Sequence, residues 1–188
     1  MEKYVLFEKK LAFHAAPSLL GIKASNMLSI KKKELDINEN ISRFNSRVKE
    51  KGLKIDILCE CEEKALVLVY NRFLLEKRFE NPDILSFMEK YGYSSDMTLE
   101  ERIKRLSERI GGCGDFPHEV GIFLDYPLED VIGFIENNGA NYKLCGCHKV
   151  YGDEVRAARV FSNYVKCRNF LCGKLNMGND IYQALKIS

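Results

Sequence analysis

Apolar residues recur at helical spacing from the start of the chain, where Tyr4, Leu6, Phe7, Leu11 and Phe13 predict a first helix. Pro17 interrupts it. Proline disfavours helical geometry at the residue before it and suits a first helical turn, so a corner is expected at 14–16 and a second helix from 17 to about 26. Lys31-Lys32-Lys33 reads as a solvated connection. A further amphipathic helix is expected over 37–51, with Ile41, Phe44 and Val48 on its buried face and Gly52 as its cap. Residues 53–61 alternate as a strand that puts Ile55, Ile57, Cys59 and Cys61 on one face. The almost wholly apolar 65–70 follows after Glu62-Glu63, which predicts a hairpin whose second strand is buried on both sides.

Two punctuated helices come next: Asn81-Pro82 opens one that Gly92 ends, and Thr98 with Glu101 forms a capping box before the stripe Leu99, Ile103, Leu106 and Ile110. Gly111-Gly112-Cys113-Gly114 then predicts a flexible loop at 111–115, the one internal boundary the sequence offers. Beyond it the pattern gives a short strand at 120–124 and a helix from Pro127 carrying Leu128, Val131, Phe134 and Ile135, closed by Asn138-Gly139. A strand at 142–151 and helices at 153–168 and 176–187 follow. The fold expected is α+β, or mixed α/β: a single compact domain over 1–188 with a central, mostly antiparallel sheet of about four to five strands flanked by helices.

Composition narrows the classes. With 46% hydrophobic residues in 188, the chain fills a sizeable core, which excludes global disorder. The 29 Lys and Arg nearly balance the 27 Asp and Glu, so the net charge of +2 makes no electrostatic case for nucleic acid or an anionic membrane. The opening MEKYVLFEKKL has too short an apolar stretch for a secretory signal, and no run reaches the length of a membrane span. Seven cysteines, an odd number without a signal, predict free thiols in a reducing cytoplasm.

Three stretches carry a resemblance: His14-Ala15-Ala16-Pro17, the block from Phe116-Pro117-His118-Glu119-Val120 through Tyr126-Pro127-Leu128-Glu129-Asp130, and Asn141-Tyr142-Lys143-Leu144 running on to Lys149-Val150-Tyr151-Gly152-Asp153. They resemble an uncharacterised family of small proteins from anaerobic bacteria, a domain of unknown function, over nearly the whole chain. The resemblance implies a compact, single-domain bacterial protein and implies no activity. Members of that family often carry cysteine where this chain has Ala15, and aromatic residues where it has Cys147 and His148. A nucleophilic thiol after His14 is therefore absent here, and any role of Cys147 or His148 is peculiar to this protein.

Four groups of residues carry candidate chemistry. His118 and Glu119 sit between the glycine-rich loop and a predicted strand, where an imidazole and a carboxylate suit acid–base work. Neighbours on an extended segment point to opposite faces, so the two are not expected to meet. The structural alternative has His118 bonded to a backbone carbonyl and Glu119 solvated or paired with a lysine. Cys145-Gly146-Cys147-His148 invites zinc or iron, but a straight strand puts Cys145 and Cys147 on one face and His148 on the other. Cys59 and Cys61 have the same spacing, so four thiols would converge only if the two strands were neighbours. Otherwise they are small buried hydrophobes.

His14, before the amides of the helix at Pro17, is the third group. With Ser18 it outlines an anion site, or else ordinary helix capping. Lys23 and Asn26 fall about two turns further along that predicted helix, too far to be assumed partners. Lys149 and Tyr151 share a strand face, either in the same cleft or at an edge. No G-x-G-x-x-G, P-loop, nucleophile elbow or H-E-x-x-H motif occurs, and Phe73 and Phe79 among Arg72, Lys77 and Arg78 fit core packing better than base stacking.

The function expected is a cytosolic protein with a polar cleft around His118, with His14, Glu119, Lys149 and Tyr151 contributing. The cleft would bind a small anionic ligand or a metal and perform acid–base chemistry on it. One alternative is a non-catalytic interaction module, a homodimer among its forms. The other is a thiol-based metal binder using Cys59, Cys61, Cys145 and Cys147. The sequence specifies no cofactor and leaves enzymatic activity open. The central expectation is spatial: His14 and His118 line one shared hollow.

Overall fold

In the computed structural model, which describes residues 2–112 and 116–187, the apolar run Ala65-Leu66-Val67-Leu68-Val69-Tyr70 lies at the centre of the fold. It forms most of β3 (Lys64–Asn71), flanked by β1 (Ser25–Lys31) and β2 (Leu53–Glu60) in an antiparallel sheet of order β1-β3-β2. Both faces of β3 are covered, and for this reason its sequence shows no alternation. Ala65, Val67 and Val69 face a first core built from α1 (Glu2–His14), α2 (Ala16–Leu19), α3 (Ile37–Val48) and residues further along the chain. Leu68 and Tyr70 face a second, containing Leu75, Phe79, Met88, Tyr93, Leu106 and Phe123.

The second core is built by α4 (Arg72–Arg78), α5 (Pro82–Glu89), α6 (Leu99–Gly111), α7 (Val120–Phe123) and α8 (Leu128–Glu136). A hairpin of β4 (Leu144–Cys145) and β5 (Lys149–Val150) follows, then α9 (Glu154–Asn176) and α10 (Ile181–Ala184). Helix α9 packs across α1 and α2 and so bridges the two ends of the chain. Side chains accept the free amides at the helix starts as the sequence indicates: Asn81 caps α5 ahead of Pro82, and Thr98 with Glu101 closes a complete capping box on α6.

The architecture is α+β, with the strands divided into a three-stranded and a two-stranded sheet rather than gathered in one. Several elements differ from the periodicity reading. The helix expected over 17–26 stops at Leu19, because the chain turns at Gly21 with φ +70°. Ser25–Lys31 instead becomes an edge strand with Leu28 and Ile30 turned inward. Residues 120–124 hold a single buried helical turn, not a strand, since a five-residue apolar run suits either when buried all round. The long strand at 142–151 reduces to the short β4–β5 hairpin, with Leu144 opposite Val150. The last helices also shift, α9 running on to Asn176 and α10 starting at Ile181. The flexible loop expected at 111–115 falls largely on 113–115, which lie outside the described residues.

Leu68 is fully buried at the middle of β3. Leu68→Ala should lower the unfolding free energy by about 2–5 kcal/mol, read from the urea midpoint at unchanged slope. A loss well below about 1 kcal/mol would show that the second core does not rest on the sheet.

Candidate functional site

Arg78, at the end of α4, fixes the segment on which the site is built. Its guanidinium donates to the Ile122 carbonyl at 2.6 Å, to Asp125 Oδ1 at 3.1 Å and to the Tyr126 carbonyl. Asp125 sits at φ +62°, in the left-handed region. Its other carboxylate oxygen accepts the Ala24 amide at 3.0 Å, while Ser25 Oγ donates to the Phe123 carbonyl at 2.6 Å. Residues 122–126 are thereby tied to the entry of β1, a hundred residues earlier in the chain.

The tie brings Tyr126 beside Lys23. The Lys23 Nζ lies 5.1 Å from the centre of the Tyr126 ring and 5.4 Å from that of Tyr164 on α9. The residue is only 3% exposed. Among the described residues no carboxylate comes within ion-pair distance of its ammonium, and no acceptor within hydrogen-bond distance. Burial pushes its pKa down to about 8, against the opposing pull of Cys147 and Asp125. Lys23 lines an open cavity of about 330 Å³ together with His14, Asn26, Cys147, Tyr164 and Arg168. Arg168 rests over the Phe13 ring at 4.9 Å and likewise has no carboxylate partner among the described residues. Partial burial, Lys10 and Arg168 all lower the pKa of His14, which favours its neutral form.

A second cavity, of about 300 Å³, adjoins the first across Tyr126 and Cys147 and contains His118, Phe134, His148 and Lys149. Its most ordered polar group is a dyad. His148 Nε2 donates to Asp130 Oδ2 at 2.9 Å, and Asp130 Oδ1 accepts the Tyr151 and Gly152 amides at 2.7 and 2.9 Å. The imidazole stacks on Tyr126 at 4.3 Å and meets the edge of Phe161 at 5.1 Å. Its Nδ1 is buried without a partner. Burial lowers the His148 pKa, only partly opposed by Asp130. The resulting neutral imidazole is held in one orientation, with its second nitrogen available as an acceptor.

The residues singled out from sequence divide accordingly. His14 and His118 stand in separate, adjoining cavities rather than one hollow, because Tyr126 and Cys147 form a wall between them. His118 is exposed, 5.3 Å edge-on from Phe134. Glu119 points the other way, fully buried, where it pairs with Arg109 and accepts the Tyr93 hydroxyl at 3.5 Å. It belongs to the second core and not to the cleft. Ser18 is also withdrawn from any ligand, since it is buried and its hydroxyl donates to Asn26 Oδ1 at 2.7 Å within the turn leading to β1.

Lys149 does line the His118 cavity, although its ammonium is engaged by the Gly139 carbonyl at 2.6 Å. Tyr151 packs its ring over Gly133, and its buried hydroxyl lacks a partner. The four thiols do not converge: β2 pairs with β3 and β4 with β5, a register shift between Ile57 and Cys59 breaks the expected face, and Cys61 lies beyond β2. Among the described residues no group of three or more His, Cys, Asp and Glu side chains is placed to hold a metal.

Lys23, Tyr126, Asp130, Tyr164 and Arg168 emerge only in three dimensions. Tyr126 and Asp130 lie within the conspicuous block that runs from Phe116 into the first turn of α8. Lys23 was separated from His14 only by the helix expected over 17–26. Once the chain turns at Gly21, Lys23 and Asn26 come back to line the cavity that holds His14.

Fold and site together define an α+β domain with two adjoining cavities at the junction of the sheet entry, the β4–β5 hairpin and α9. The family model "Protein of unknown function (DUF3793)" matches residues 11–185, and the chain belongs to that family. No curated protein and no solved structure matches it.

Because the folded state lowers the His148 pKa, the stability this residue gives by staying neutral is present above its unfolded pKa and is lost as pH falls through the folded value. The gap in unfolding free energy between the wild type and His148→Gln should therefore shrink between about pH 7 and about pH 5. A gap constant over that range would contradict the buried, neutral imidazole.

Proposed function

We propose that the protein binds a small anionic ligand in the cavity that Lys23 lines, with Lys23 and Arg168 meeting its charge and His14 beside it, while His118 and His148 belong to the adjoining cavity. The observation that carries this reading is the Lys23 side chain, only 3% exposed, whose ammonium borders an open cavity and meets no carboxylate or acceptor among the described residues. An isolated buried charge costs several kcal/mol even after relaxation. Asp125, the carboxylate that acts on Lys23, is already committed to Arg78 and the Ala24 amide. A ligand carboxylate or phosphate would supply the missing partner, and the cavity volume suits a small metabolite.

A purely structural or interaction role leaves Lys23 unexplained, because methionine would fill the same space at lower cost. The donor set favours an anion over a metal. The six described cysteines are free thiols, which supports placing the protein in a reducing, cytoplasmic compartment. No helix among the described residues is long and apolar enough to cross a membrane.

Calorimetric titration with acetate, oxalate and phosphate tests the proposal. At least one should bind, and Lys23→Met and Arg168→Met should each weaken it by about tenfold or more, as expected for loss of a charge-assisted bond of about 1.5–3 kcal/mol. Without ligand, Lys23→Met should raise the melting temperature, because it removes an uncompensated buried charge. Unchanged affinity in both variants, or a lower melting temperature for ligand-free Lys23→Met, would contradict the proposal.

A further inference from the structure

An anion alone does not require a lysine. Arg168 already offers the same cavity a permanent cation, and a guanidinium is the better partner for a carboxylate. What a lysine adds is an amine that becomes nucleophilic when it loses its proton. We propose that the ligand is a small carbonyl compound bearing a carboxylate, and that Lys23 condenses with its carbonyl carbon to form an imine while Arg168 holds the carboxylate. The inference rests on the anion-binding reading above and names the ligand class of that site.

The geometry supplies each requirement. Nζ lies 5.1 and 5.4 Å from the Tyr126 and Tyr164 ring centres, with no carboxylate among the described residues to lock it as an ammonium. Desolvation is a known route to an activated lysine, and burial is what lowers the Lys23 pKa. Tyr164 lines the cavity, makes no hydrogen bond among the described residues, and is kept protonated by burial, so its hydroxyl is free to relay protons. Burial acts in opposite directions on a lysine and a tyrosine and so favours the neutral form of both in one cavity.

The step balances without another reagent. The neutral amine attacks the carbonyl carbon, a C–N bond forms, and the C=O π pair moves to oxygen. The two protons carried by the amine pass to that oxygen through the Tyr164 hydroxyl. The C–O bond breaks, and water leaves as C=N forms. The imine ties the ligand covalently to Lys23 and draws electrons from the adjacent carbon.

Borohydride trapping distinguishes the outcomes. The wild-type protein is incubated with pyruvate or glyoxylate, reduced and mapped by peptide mass spectrometry. Lys23 should carry the reduced adduct at about tenfold or more the level of any surface lysine, reflecting its larger fraction of free amine. Lys23→Arg should lose the adduct while keeping the fold, and Arg168→Met should lower it. Lactate, which lacks the carbonyl, should bind calorimetrically and leave no adduct. If pyruvate and lactate both bind but Lys23 is modified no more than surface lysines by either probe, the imine is overturned and the anion site stands. If none of the three probes binds and no selective adduct forms, both readings fall together.

Discussion

The anchoring of residues 122–126 by Arg78 is the constraint from which the site follows. Its guanidinium satisfies two backbone carbonyls and a carboxylate at once, and that carboxylate reaches on to the Ala24 amide. Hydrogen bonds to charged groups contribute about 1.5–3 kcal/mol each. Holding Asp125 in the left-handed region costs about 1–3 kcal/mol, so the anchor outweighs the strain. It seats the Tyr126 ring 5.1 Å from the Lys23 ammonium and stacked on His148 at 4.3 Å, and a single tyrosine thus forms part of both cavities.

Lys23 marks a point where stability and function part. Two cation–π contacts at exposed-to-desolvated strengths contribute about 0.5–2 kcal/mol each, less than the desolvation of an ammonium left without an anion. The fold carries the difference, and the anion proposed for the cavity would release it. The same argument separates Lys23 from Glu119, which is equally buried but fully met by Arg109 and Tyr93 and therefore reads as structure.

Much of the fold was legible along the chain. The apolar run 65–70 announced the central strand, and Asn81-Pro82 and Thr98 with Glu101 announced their helices, because in each case local chemistry and burial agree. The short buried turn at 120–123 was not legible, since period alone does not separate a buried strand from a buried helical turn. Nor was β1, whose polar Ser25, Asn26 and Ser29 reflect an edge position and long-range ties to residues 123–125. The site suffered for that reason. His118, His148, Lys149 and Cys147 were visible in conspicuous motifs, whereas Lys23 has no motif and acquires its meaning only from where Gly21 turns the chain and Arg78 sets Tyr126.

The buried, unpaired amine of Lys23 is open to direct observation. In protein labelled with ¹³C at the lysine side chains, one ε-carbon signal should titrate near pH 8, far below the others, and should disappear in Lys23→Met. A set of lysine signals that all titrate together in the ordinary range would mean that Lys23 is solvated or paired, and the cleft would lose the group on which its chemistry rests.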